Sequence, residues 1–222
     1  MTISNQKGTI MQKQMRLTGW LGLGLMLLTL VEVPMYFMYS GPPPVANILV
    51  RVLFNMAIIP GLVVFFASLR GLIIRADSRY EWAATLLLIL VAMHGIQTFV
   101  ANSMEAGLAI ATDHNIDPTI KANATYLLYG SIGRVMTTLF LCLAGYLTVA
   151  AGLLPKWTKY MAYVLAVYSA VFIPSMFFGN DPSHFYSANG WGATAIGASS
   201  IMYWILVAGI LFLRRTHKAS SN

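Results

Sequence analysis

Six runs of roughly 20 predominantly apolar residues, bounded by turn-forming or charged residues, limit what this chain can become. They fall at about 17–39, 47–69, 82–104, 124–148, 160–178 and 193–213. A helix rising 1.5 Å per residue needs about that length to cross a hydrocarbon core about 30 Å thick. The expectation is an all-α, polytopic membrane protein, a bundle of six transmembrane helices. Only 9% of the 222 residues are charged and 58% are hydrophobic, where a soluble domain carries about a quarter charged. The chain divides into an N-terminal segment (1–16), one membrane domain (17–213) and a C-terminal tail (214–222), with no soluble domain. The first run is too long for the apolar core of a cleavable signal peptide and is read as a span.

The net charge of +7 raises the question of nucleic acid, and the placement of the charges answers it. Lys7, Lys13 and Arg16 precede span one; Arg70, Arg75 and Arg79 fill the connection after span two; Lys156 and Lys159 follow span four; Arg214, Arg215 and Lys218 follow span six. With six spans all of these fall on one side, and Lys121 alone on the other. Because Lys and Arg are retained in the cytoplasm, both termini should be cytoplasmic, with the bilayer rather than nucleic acid as partner. Trp20, Tyr80, Trp82, Trp157 and Tyr160 would line that interface, and Tyr36, Tyr39, Tyr126 and Trp191 the opposite one.

Pro34, Pro60 and Pro174 each withhold a backbone donor from a span and can kink it. Small residues at 192, 193, 195, 197, 198, 199 and 200 would let another helix approach span six closely, including one from a partner membrane protein. The same GASS string would need an activating base on a neighbouring helix and only His94 is on offer, so close packing is preferred to a serine nucleophile, and the single Cys142 excludes an internal disulfide or thiol-pair chemistry.

Residues 93–107, MHGIQTFVANSMEAG, put polar groups inside and beside an apolar run. At about 100° per residue His94, Thr98, Asn102 and Glu105 share one stripe, with Gln97 beside it. Span two repeats the device with Asn47, Arg51 and Asn55 at four-residue spacing. Span four does so with Asn123, Tyr126, Gly130, Arg134 and Thr138, and span one carries Glu32, Tyr36 and Tyr39. A charged group facing lipid costs at least about 2.5–3.5 kcal/mol near the bilayer centre, so these stripes should turn toward one another. Helix rise places Glu32 about 10 Å and Arg51 about 6 Å from the outer boundary, with Arg134 and His94 about 15 Å deep. That predicts a Glu32–Arg51 pair, a His94–Arg134 floor and Glu105 at an outer mouth. The candidate ligand-binding residues are Glu32, Arg51, Asn55, His94, Gln97, Asn102, Glu105 and Arg134.

No metal or cofactor is expected. Asp113, Asn115 and Asp117 open like a calcium loop, but Pro118 replaces the required Gly and Ala124 the bidentate Glu. Zinc on His114, His184, Asp113 and Asp181 would need two loops that nothing in the spacing joins, and no second spanning His completes a bis-imidazole haem site.

Residues 143–174, LAGYLTVAAGLLPKWTKYMAYVLAVYSAVFIP, resemble a hairpin recurring in a bacterial family of small polytopic membrane proteins, a domain of unknown function. Gly145, Tyr146 and Leu147 end one helix, 152–156 form a Gly-apolar-Leu-Pro-basic turn, and a second apolar helix follows. The opening RLTGWLGLGLMLL is also similar. The resemblance implies a helical fold and a bacterial inner membrane, and carries no activity. The residues themselves support binding or passage of a small anionic or zwitterionic ligand in an outer-half cavity. Two alternatives stand beside it: an intramembrane enzyme using Glu32 or Glu105 as general base with His94, and a non-catalytic accessory or immunity-type subunit docking through span six.

Overall fold

A computed structural model describes residues 3–39, 43–111, 128–179, 181, 183–188 and 190–220. Among these there is no strand, and six helices are long and apolar enough to cross a membrane. We label them α1 (Ile3–Glu32), α2 (Val45–Ala76), α3 (Glu81–Ala111), α4 (Gly133–Ala150), α5 (Lys156–Val171) and α6 (Gly197–Ser220). In hydrocarbon each backbone donor and acceptor must be satisfied within its own segment, which a helix achieves and an irregular chain does not. The chain is therefore a multi-pass integral membrane protein. The spans outrun the apolar runs: α2 and α3 continue into the polar residues that join them, because the helix ladder does not require apolar side chains beyond the membrane.

Each helix packs on its sequence neighbours and α6 returns to close on α1. Glycines make that closure. A Cβ on Gly22 would stand 2.9 Å from the Ile205 carbonyl, and one on Gly209 would stand 3.0 Å from the Gly19 carbonyl, so the two backbones meet where no larger residue fits.

Helix ends follow from residue chemistry. Pro34 lies at the start of a 3-10 turn, Val33–Phe37, that ends α1, and Pro174 does the same after α5 in Ile173–Phe178. Pro60 instead sits inside α2, which continues through it. The α4–α5 turn is a Schellman cap: Leu153 N donates to Thr148 O at 2.8 Å and Gly152 N to Val149 O at 3.0 Å, with Gly152 at φ +68°. Arg215 of α6 donates to the Gly152 and Leu153 carbonyls at 3.0 Å each, tying the last helix to this turn.

The basic residues of the helix ends gather at one end of the bundle, here the basic end. The half beneath it is apolar. Phe66 stacks at 6.4 Å on Trp204 and meets Phe65 and Phe140, all fully buried, with Leu69, Leu72, Leu87 and Phe212 around them. The other half holds the buried charges.

Candidate functional site: the polar interior of the far half

Among the described residues four charged side chains are buried, Glu32, Arg51, Glu105 and Arg134, and all lie in the half away from the basic end. Arg51 and Glu105 form an ion pair at 3.0 Å, with side chains only 5% and 6% exposed. This corrects the expected Glu32–Arg51 pair. The two residues are 54 positions apart, centred on Ser78 at the tip of the α2–α3 hairpin, so antiparallel packing brings them level. Glu105 is consequently inside the bundle and not at a mouth, since α3 runs on to Ala111.

Glu32 accepts from Asn55 Nδ2 at 2.9 Å, and the same amide donates to the Arg51 carbonyl at 3.3 Å. Tyr36 joins both groups: its ring lies 4.1 Å beneath the Arg51 guanidinium and its hydroxyl reaches Glu32. A cation held over an aromatic face in a water-poor setting gains about 2 kcal/mol. The 3-10 turn that Pro34 induces is what carries Tyr36 back to this position. Asn47, one turn beyond Arg51, donates to the Met35 carbonyl at 3.3 Å. Helices α1, α2 and α3 are thus cross-linked by one polar network.

A second group lies between α3, α4, α5 and α6. Arg134 is 2% exposed, its Nε donates to the Gly130 carbonyl at 3.4 Å, and it stands within electrostatic range of both His94 and Tyr168. His94 on α3 and Arg134 on α4 thus lie near one another. His94 sets its ring edge-on to Phe140 at 5.4 Å. Below Glu105 the α3 stripe bonds to its own backbone: Asn102 Nδ2 donates to Thr98 O at 2.9 Å and Thr98 Oγ1 to His94 O at 2.8 Å. Gln97 is partly buried on the same helix.

Two π turns frame Arg134. Leu128–Ile132 precedes α4 and Gly192–Ile196 precedes α6, and such turns leave carbonyls outside the i to i+4 ladder. Arg134 uses the Gly130 carbonyl and the Tyr168 hydroxyl uses that of Gly192, at 3.1 Å. A Cβ on Gly197 would stand 3.2 Å from Arg134 Nη1, so the small residues opening span six make room for this guanidinium. Gly192, Ala193, Gly197, Ser199 and Ser200 are all buried within the chain's own bundle.

Aromatic contacts run outward from this group. Tyr168 packs on Phe172, Phe172 on Phe185, and Phe185 on Trp191 at 4.5 Å, which folds the connection between α5 and α6 over the Arg134 end of the bundle. Tyr36 as a cation partner and Tyr168 beside Arg134 were not singled out from sequence. The signal for Tyr36 is its place one turn from Glu32, which reads the same as an interfacial Tyr, whereas Tyr168 has no charge within a turn on its own helix.

The geometry separates one of the two proposed acid–base pairs, Glu105 with His94. Glu105 and His94 sit on one continuous helix with about 16 Å of rise between them, too far for a carboxylate to act with that imidazole. The calcium-like segment with Asp113, Asn115 and Asp117 and two of the four zinc candidates, Asp113 and His114, lie outside the described residues; the other two, His184 and Asp181, pair loosely at 3.8 Å on the surface.

The chain matches no protein-family model, no curated protein and no solved structure. The resemblance of residues 143–174 to a bacterial hairpin accordingly rests on those residues themselves.

Proposed function

We propose that the far half of this membrane protein binds a small anionic or zwitterionic molecule, reached from the face opposite the basic end. One observation carries the reading. His94 Nδ1 is enclosed with no hydrogen-bond partner among the described residues, and the buried Arg134 guanidinium stands within electrostatic range of it. Leaving such an atom buried and unmade costs about 1–3 kcal/mol, so an imidazole lacking a partner beside a buried cation favours a molecule that supplies the missing contact. That pair suits a compact solute bearing a carboxylate or phosphate, whereas Asn47 Oδ1 and Arg51 Nε, also without a partner among the described residues, lie about 16 Å or more of helix rise away, beyond the reach of the same small molecule. The one-sided basic residues favour a cytoplasmic basic end and cytoplasmic termini, and the hairpin resemblance supports a bacterial inner membrane. We favour binding over the enzyme alternative because Glu105 lies too far from His94 and Glu32 is bonded to Asn55 and Tyr36 instead. We favour it over the accessory alternative because the chain itself covers the small-residue face of span six.

The test is native mass spectrometry of the protein released from lipid nanodiscs, followed by thermal-shift and equilibrium dialysis with small carboxylates, inorganic phosphate and betaines. A bound solute present at 100 times its Kd would stabilise the fold by about 2.7 kcal/mol. Arg134→Gln is expected to weaken that solute at least about tenfold, the loss of one charge-assisted hydrogen bond, while the protein still folds. No bound species and no shift with any solute, or equal affinity in Arg134→Gln, would overturn the reading.

A further inference from the structure

Away from the polar interior, the lipid-facing seam between α1 and α2 is indented by an open apolar groove of about 560 Å³, within the range of small-molecule sites. Its walls include Leu17, Trp20, Gly24 and Leu27 of α1 and Ala57 and Gly61 of α2. The floor is low because small residues face each other there, and a Cβ placed on Gly24 would meet no atom within 4 Å. From Leu17 to Leu28 the groove spans about 16 Å of helix rise, against about 15 Å for one leaflet of hydrocarbon. It is therefore one acyl chain deep.

Its basic mouth is what singles it out from the rest of the lipid-facing surface. Lys13, Leu17, Trp20, Gly24 and Leu27 recur at spacings of three and four and so share one face of α1. Arg16 stands one turn before Trp20. Across the seam Ala57, Gly61, Val64, Ser68, Gly71 and Arg75 follow the same spacing on α2. Gln14 accepts from Arg75 Nη1 and donates to the Ser68 carbonyl at 2.8 Å, which holds the Arg75 guanidinium at the level of Lys13. Lys13, Arg16 and Arg75 are all exposed.

We propose that this groove seats an acyl chain of an anionic phospholipid in the basic-side leaflet, with the headgroup phosphate held by Lys13, Arg16 and Arg75. A guanidinium fork flanked by two further cations matches a phosphodiester, and the indentation below supplies the length and the apolar walls that its tail requires. The site is independent of the polar interior and survives the failure of that reading.

Trp20 in the groove wall is a native reporter. The full chain is reconstituted in phosphatidylcholine vesicles containing a minor fraction of brominated phosphatidylglycerol or, in parallel, brominated phosphatidylcholine. The Trp20 contribution is taken as the difference from Trp20→Phe. Brominated phosphatidylglycerol should quench Trp20 several-fold more effectively. Neutralising Lys13, Arg16 and Arg75 to Gln, each charge being worth up to about fivefold in affinity, should together abolish that preference. Gly24→Leu, which fills the indentation without meeting a neighbour, should abolish the preference at unchanged thermal stability. Equal quenching by the two lipids, or a preference untouched by the charge variants, overturns the proposal. So does efficient Gly24→Cys cross-linking between two copies in a Cys142→Ser background, which would assign the groove to a second copy of the chain.

Discussion

Beneath the basic end, Phe65, Phe66, Phe140 and Trp204 interlock with no polar side chain between them, whereas in the far half Arg51, Glu105, Glu32, Asn55 and Arg134 occupy equivalent positions between the helices. The helices differ in the same sense. In the apolar half they are regular, and in the far half α1 and α5 tighten into 3-10 turns while α4 and α6 begin in π turns. Apolar packing in a bilayer asks only for complementary shape, since lipid tails compete with it on equal terms. A buried charge asks for particular partners at particular distances, and the irregular turns bring those partners in. The difference teaches where this fold is permissive and where it is not.

The sharpest way to break the comparison is at its ion pair. Arg51→Met preserves length and removes the guanidinium, leaving Glu105 enclosed without it and Tyr36 without its cation. The expected loss is about 3–5 kcal/mol of stability, with most of it restored when Glu105→Leu is added. Reversible unfolding in mixed micelles, run as a double-mutant cycle, reads both values. A single variant within about 0.5 kcal/mol of wild type would mean that the pair does not organise the far half.

A smaller effect belongs to the apolar half. Phe66→Leu keeps an apolar side chain but gives up the ring that stacks on Trp204 and leaves a small cavity, an expected loss of about 2 kcal/mol. Solute binding, assayed as above, should be unchanged. A loss as large as that of Arg51→Met would erase the distinction between the halves.

These contrasts also show what could be read in the residues. Six spans, the one-sided basic residues and the inward turn of Arg51, Glu105 and Arg134 follow from the high cost of charge in hydrocarbon, which acts on each helix separately. Which charge meets which does not. Counting depth from each helix's own apolar boundary paired Arg51 with Glu32, while folding the chain about Ser78 levels Arg51 with Glu105. Helix boundaries blur by a turn, and a turn is enough to exchange partners. The cation-partner role of Tyr36, a residue already placed in span one's stripe, and the whole of Tyr168 escaped for another reason, since they depend on a 3-10 turn and a π turn that leave little trace in hydropathy. The Gly22–Gly209 closure escaped as well, because scattered glycines mark a close approach only once the facing helix is known.

At about 1–2 kcal/mol stands the α4–α5 turn. Gly152 at φ +68° occupies the left-handed region, where a Cβ crowds the following carbonyl, so Gly152→Ala should lose that amount and loosen the Arg215 contacts to both turn carbonyls. Unfolding of Gly152→Ala and Arg215→Ala, singly and together, reads the coupling. A neutral Gly152→Ala would show that the turn relaxes out of the left-handed region at no cost.

The smallest effect comes from the ion pair most like Arg51–Glu105 on paper. Asp77 and Arg79 meet at 2.7 Å, closer than the buried pair, but at the hairpin tip with the Arg79 side chain 83% exposed. Side-chain and backbone hydrogen bonds from Arg79 hold the Asp77 carboxyl below its ordinary 3.8. With a lowered folded value, its contribution is in place above pH 3.8 and is lost as pH falls through that lowered value. Water screens both charges, so separation alone does not set the energy. Asp77→Asn keeps an acceptor for the Arg79 amide that caps the turn, and at neutral pH its melting temperature should match wild type, with any divergence confined to acid below the ordinary carboxylate range. A clear loss at pH 7, comparable to that of Arg51→Met, would show that short distance outweighs burial and would dissolve the contrast between the protein's wet end and its dry interior.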